Sequence, residues 1–343
     1  MSSPWRLGKY FPWQDRLQAA SSAGAGSPHT TASARNERGS LPASGKGRVT
    51  CVLGMHRSGT SAVARGLEVL GIGLGTSLIE AGDDNPKGYW EDAEGLAINK
   101  AVLEWCDIAW NDLRIVSDQT FLQKGLHGLS RKATDLLRAR VQCYGNWGFK
   151  DPRTVRVLPF WLHAAERAGV PMDFVVVLRH PLEVAESLRV RNRIPIVHGL
   201  LMWAAYVLPF LPRIRNYPHV FMTYDDLLDN PEYTLRRMAS RIGSSIDEGR
   251  LHDYVQTFLS RDLRHHVLRY VAEGLRGTTP DFIEDAYRAL LELAECPDAL
   301  ESWDRLMAAQ SVYCSLGPIW QHLDTESDRH RKKKPFWRGW RYG

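Results

Sequence analysis

The chain has 343 residues, 44% of them hydrophobic, with a formal net charge of +5. That is enough for a real core in one large domain or two small ones. The charge is uneven: residues 1–48 carry a net +5, residues 329–343 carry seven Lys/Arg and no acid, and residues 49–328 are left at about −7, which excludes a global nucleic-acid surface.

The five cysteines, Cys51, Cys106, Cys143, Cys296 and Cys314, are odd in number and widely spaced. They argue against a disulfide framework or a zinc site and for a reducing, cytoplasmic compartment. The opening stretch "MSSPWRLGKYFPWQ" has no apolar core, so it does not read as a signal peptide. Residues 20–47 are small, polar and punctuated by Gly and Pro, and 1–47 is expected to be a disordered arm.

Ordered structure is expected from Arg48. "VTCVLG" (49–54) reads as a buried strand and is followed by "GMHRSGTS" (54–61). Val63, Leu67 and Leu70 then follow at helical spacing. Gly54 and Gly59 have the spacing of the nucleotide loop GxxxxGK(S/T), but Thr60 stands where the lysine would be. Backbone N–H groups at the start of a helix still favour an anion. Ser58, Thr60 and Ser61 add hydroxyls, and Arg57 adds a fixed charge with planar donors. The alternative is an ordinary polar turn with Ser58 as the helix cap.

Further along, 92–105, 131–142 and 155–168 read as helices, and "FVVVLR" (174–179) reads as a central parallel strand, apolar on both faces. It ends in Arg179 where a metal-dependent nucleotide site would place a carboxylate. The two strand ends together suit a metal-free ligand with two separate anionic groups. The uncharged stretch "IPIVHGLLMWAAYVLPFLP" (194–212) is long enough to span a membrane but reads better as a buried helix ended by Pro209 and Pro212. "VFMTY" (220–224) is a third strand, and from about 232 the pattern is mainly helical. The alternation predicts an α/β fold: a P-loop-like three-layer sandwich with a mostly parallel central sheet and a helical C-terminal part. The domain is expected over 48–325, with a basic, aromatic tail over 326–343 that is either solvated or touches an anionic membrane surface.

"RSGTS" (57–61) and "LRHPLEVAES", in which Pro181 suits the first turn of a helix and Arg179 and Ser187 stand eight residues apart, lie about 120 residues from each other. With "NPKGYWED", "KDPR" and "YDDLL", they resemble the sulfotransferases that use 3′-phosphoadenosine 5′-phosphosulfate (PAPS), in particular their bacterial branch, over roughly 48–265. The resemblance implies a sulfuryl transfer that needs no metal, to a hydroxyl or amine of a small molecule, glycan or lipid. It implies that His56, Arg57, Ser58, Gly59, Thr60 and Ser61 hold the 5′-phosphosulfate and that Arg179 and Ser187 hold the 3′-phosphate. Arg57 would stabilise the charge that develops on the bridging oxygen. Cytosolic relatives carry a histidine base at a Lys-Thr-His strand end. The matching "FKDPRT" keeps Lys150 but has no histidine. The base is then Glu91, comparable to a glutamate of the protein-tyrosine sulfotransferases, or Asp151, or Asp92. Asp92 also reads as a helix cap and Asp151-Pro152 as a turn start. Lys150 and Arg153 are either ion-pair partners or lie over the sulfuryl oxygens. Tyr89, Trp90, Trp105, Trp110 and Trp147 are candidates for an adenine or acceptor wall, with core packing as the alternative, and Ser260, Arg261 and Arg264 are further phosphate candidates. Two other functions fit the same loop: a nucleotide or sugar kinase with a degenerate loop, and a nucleotide-binding scaffold without catalysis.

Overall fold

The computed structural model describes residues 47–82, 85–259 and 279–333. The arm expected over 1–47, apart from Gly47, lies outside the described residues, as do Ser260, Arg261 and Arg264 and the end of the basic tail.

Four strands form one parallel sheet: β1 (Val49–Leu53), β2 (Trp147–Lys150), β3 (Met172–Leu178) and β4 (His219–Thr223), in the order β2-β1-β3-β4. Side chains alternate between two cores, as the pleat requires. Cys51, Leu53, Phe174, Val176 and Phe221 face one side, and Val52, Val175, Val177, Val220 and Met222 face the other. Both faces are therefore covered, which is why the strands read as unbroken apolar runs.

On the second face lie α1 (Thr60–Gly66), α7 (Tyr224–Asp229), α8 (Pro231–Ile242) and α9 (Glu248–Asp253). The larger core on the first face takes α2 (Ala93–Trp105), α3 (His127–Tyr144), α4 (Leu158–Ala168), α5 (Pro181–Asn192) and α6 (Ile196–Val207). It also takes α10 (Asp281–Glu295), α11 (Leu300–Ser315) and Trp320 of α12 (Gly317–Lys333). The protein is thus a three-layer α/β sandwich. The stretch 194–212 is a core helix: Leu200, Met202 and Ala204 of α6 are fully buried, and the helix ends at Val207, before Pro209.

Three boundaries differ from those read off the sequence. β2 is a fourth strand that periodicity did not single out, because it has four residues, one of them Gly and one Lys. The helix expected over 155–168 opens as a 3-10 turn over Pro152–Val157, capped by Asp151, and becomes α-helical at Leu158. α12 runs to Lys333, past residue 326, where the tail was expected to begin.

Parallel strands put all their C-terminal ends on one edge. Here that edge carries the loop after β1, Lys150 at the end of β2, Arg179 after β3 and Tyr224 after β4. β1 has β2 on one side and β3 on the other, the arrangement in which open α/β sheets carry ligand sites at this edge.

Candidate active site

The loop 54–59 is shaped by close contacts. A side chain at Gly54 would meet Thr60 Cγ2 at 2.7 Å and the Val177 carbonyl at 2.9 Å. Gly59 has φ 86° and caps α1, so Ser58 is not the cap. A Cβ there would meet the Tyr224 ring at 2.1 Å. Glycine is required on both counts, since the left-handed region is costly for other residues. Thr60 and Ser61 begin α1, and their N–H groups have no helical carbonyl behind them. Ser58 is buried.

Arg57 also takes a left-handed conformation, φ 69°, which costs a non-glycine residue about 1–3 kcal/mol. Long-range bonds hold it there. Its Nε donates to Ser187 Oγ at 2.9 Å, and its carbonyl accepts from Arg179 Nη1 at 2.9 Å. Arg179 in turn donates through Nε to Glu183 Oε2 at 2.9 Å and lies over the Tyr224 ring, 5.4 Å from its centroid. Arg57, Arg179 and Ser187 thus form one cluster. The Arg57 side chain, expected at the phosphosulfate, reaches instead to the residue expected at the 3′-phosphate.

The cation at the other end of the loop is Lys150. Its buried ammonium uses three donors: to Ser61 Oγ at 3.1 Å, the Tyr89 carbonyl at 2.9 Å and Glu91 Oε1 at 2.7 Å. A lysine of the neighbouring strand therefore stands beside the loop, which has none of its own. Ser61 Oγ also accepts from Asn85 Nδ2 at 3.2 Å. Because that oxygen accepts twice, its own O–H is directed elsewhere, as a donor. In the sequence Asn85 reads only as a turn residue before Pro86.

The three carboxylates weighed as bases have different fates. Asp92 caps α2, accepting from the N–H groups of Glu94 and Gly95 at 3.0 and 2.9 Å, and bonds Arg140 at 2.9 Å. Asp151 is fully buried, and both of its oxygens are engaged. One accepts from the Arg153 N–H and guanidinium, each at 3.0 Å, and the other from Asn99 Nδ2 at 2.9 Å. Asn99 is itself fixed by Trp161 Nε1 at 2.6 Å, a support the sequence did not signal. Glu91 lies between Lys150 and Arg153, the latter at 3.8 Å. Burial pushes the Glu91 carboxyl above the usual carboxylate range, against the pull of Lys150.

The aromatic candidates separate. Trp147 is core, stacked on Phe149 at 5.3 Å, and Trp105 is exposed. Trp90 sits under Arg65, 5.2 Å from its ring centroid, and edge-on to Phe258 at 6.0 Å. Trp110 packs against His56 at 5.0 Å. His56 therefore faces rings on the α6 side of the loop, not the cluster around Ser187.

The class that fold and site define is an α/β protein with a phosphate-type strand–loop–helix site at the C-terminal edge of a parallel sheet, cationic at both ends of the loop. No protein-family model matches the chain, and no curated protein matches it. Among solved structures, the sulfotransferase domain of the Synechococcus PCC 7002 olefin synthase is similar at 16% identity and a TM-score of 0.40, over 73% of this chain and 94% of that one. The sulfotransferase domain of the curacin biosynthetic pathway is similar at 17% identity and a TM-score of 0.36, over 78% and 98%. Sulfotransferase STF1 of Mycobacterium tuberculosis H37Rv is similar at 14% identity and a TM-score of 0.35, over 68% and 77%. Scores of 0.40 and below assign no function to this chain.

Proposed function

We propose that the protein is a sulfotransferase that moves the sulfuryl group of PAPS to a hydroxyl, or an amine, of a small-molecule, glycan or lipid acceptor. One observation supports this above the rest: the loop has a separate cationic pole at each end. Lys150 lies on Ser61, and Arg57 with Arg179 lies at Ser187. PAPS carries a phosphosulfate and a distant phosphate, two anionic groups for two poles.

In this reading Thr60, Ser61 and the loop N–H groups hold the 5′-phosphate. Lys150 sets its fixed positive charge towards the oxygen that bridges phosphorus and sulfur, where negative charge grows as the S–O bond breaks. Arg179 and Ser187 hold the 3′-phosphate, and Arg57 ties the two halves together. Glu91 orients Lys150 and balances its charge.

Lys150 beside Ser61 also favours a second reading, since a lysine at that place suits the β- and γ-phosphates of a nucleoside triphosphate in a kinase. Thermal shift separates the two. Adenosine 3′,5′-bisphosphate at a hundredfold excess over Kd should stabilise the fold by about 2.7 kcal/mol, with ATP·Mg²⁺ and AMP far less effective. A shift with ATP·Mg²⁺ alone would put the kinase first.

A further inference from the structure

His56 precedes Arg57 on the loop and has no place in donor binding as described above. Its Nε2 is buried and has no hydrogen-bond partner, and among the described residues it is the only such side-chain atom in 54–61. The ring is held edge-on by two others, Trp110 at 5.0 Å and Tyr206 at 5.5 Å between centroids. Tyr206 donates its hydroxyl to the Trp110 carbonyl at 2.7 Å, so the nearest phenol is committed elsewhere. A clamped ring with a buried, unpaired nitrogen is unfavourable, and such an atom calls for a function. The nearby carboxylates do not compete for it: Asp92 and Asp151 are fully bonded, and Glu91 is ion-paired.

We infer, on the sulfuryl-transfer reading above, that His56 Nε2 is the general base that takes the proton of the acceptor hydroxyl. As the acceptor oxygen bonds to sulfur, its O–H bond breaks and the proton passes to Nε2. The bond from sulfur to the 5′-phosphate oxygen breaks, and its electron pair stays on that oxygen. The products are a sulfate ester and adenosine 3′,5′-bisphosphate, and the imidazolium then returns its proton to water. The base must start neutral. Burial, then the charges of Arg153, Lys150, Arg191 and Arg57, hold His56 well below the ordinary histidine value. Tyr206 and Trp110 bring no charge of their own to the ring at neutral pH. The anionic donor, once bound, offsets those cations and restores basicity.

The test uses the full chain, labelled PAPS and water as the acceptor, with sulfate release as the rate. His56→Asn and His56→Gln should keep the thermal shift with adenosine 3′,5′-bisphosphate and lose about a hundredfold in rate. The wild-type rate should fall on the acid side, and these variants should lose that limb, whereas Glu91→Gln should keep it. In the wild type, nitrogen-15 histidine spectra at neutral pH should show Nε2 unprotonated and its signal shifted by the bisphosphate. That measurement stands even if a variant fails to fold. Unchanged rates in the His56 variants, an acid limb lost only in Glu91→Gln, a protonated Nε2, or a wild type that binds the bisphosphate yet releases no sulfate would each overturn the assignment. A wild type without any bisphosphate shift would instead overturn the sulfotransferase reading beneath it.

Discussion

Lys150 and Glu91 make the smallest unit with a chemical consequence. A lysine that spends three donors on a serine hydroxyl, a carbonyl and a carboxylate is fixed in place before any ligand arrives. Preorganised charge of this kind contributes most in the transition state, because nothing has to reorganise when the bond breaks. On the proposed sulfuryl-transfer reading, Lys150→Met should therefore lower turnover about 10²–10³-fold. It also leaves Glu91 buried beside only a distant Arg153, and an uncompensated buried charge costs about 3–5 kcal/mol. The Tm of Lys150→Met should fall accordingly. Adding Glu91→Leu should recover much of the Tm and none of the turnover. Turnover that returns with Tm would reduce Lys150 to a structural role. Arg153 was legible only as part of a charged cluster in "KDPR". What it does, holding Asp151 at 3.0 Å and facing Glu91 at 3.8 Å, needs contacts the sequence does not display.

At the scale of elements, the site depends on how each segment is started and stopped. Asp92 lies on the boundary between the loop that carries Glu91 and helix α2. Its cap bonds to Glu94 and Gly95 fix that boundary, and Arg140 of α3 ties it to the next helix. Asp92→Ala should cost about 1–2 kcal/mol in urea unfolding, with turnover per folded molecule retained. Loss of turnover without loss of stability would return Asp92 to the list of bases. α5 shows the same local logic: Pro181 occupies its first turn, and His180 Nδ1 accepts from the Leu182 N–H at 3.2 Å. That start was readable in the sequence and places Ser187 two turns below Arg179. β2 was not readable, since four residues with a glycine have no periodicity to detect. It exists because Val49–Val52 of β1 offers it a parallel partner, and without that pairing Lys150 would not reach the loop.

For the whole molecule, the residue just before β1 is tied to the neighbouring strand and to a helix on the second face. Arg48 donates to Asp173 at 3.3 Å and to the Ile242 carbonyl at 2.7 Å, linking β1, β3 and the end of α8. Burial pushes the Asp173 carboxyl up to about 6, with Arg48 opposing. A folded value above the unfolded one means that the native state binds the proton more tightly. Stability from this group is full below about pH 4 and is lost as pH rises through 6. A shift of about two units corresponds to about 3 kcal/mol. Asp173→Asn should flatten that part of the Tm–pH curve and raise Tm at neutral pH relative to the wild type. An unchanged slope between pH 4 and 6 would place the titration elsewhere.

Short-range rules explain what could be read from the chain alone. Unbroken apolar runs made β1, β3 and β4 visible, glycine spacing exposed the loop, and a proline and an apolar run marked α5 and α6. These features depend on sterics and periodicity within about ten residues, which order in the chain preserves. The assignment of charges does not depend on such distances. Ser61 meets Lys150 across 89 positions, and Arg57 meets Ser187 across 130. Only the sheet order β2-β1-β3 brings them to one edge. That packing decided which cation stands beside the loop, which carboxylates are already bonded, and that His56 is left with an unused nitrogen. Each of these outcomes turns on a hydrogen bond that forms within about 3 Å or not at all.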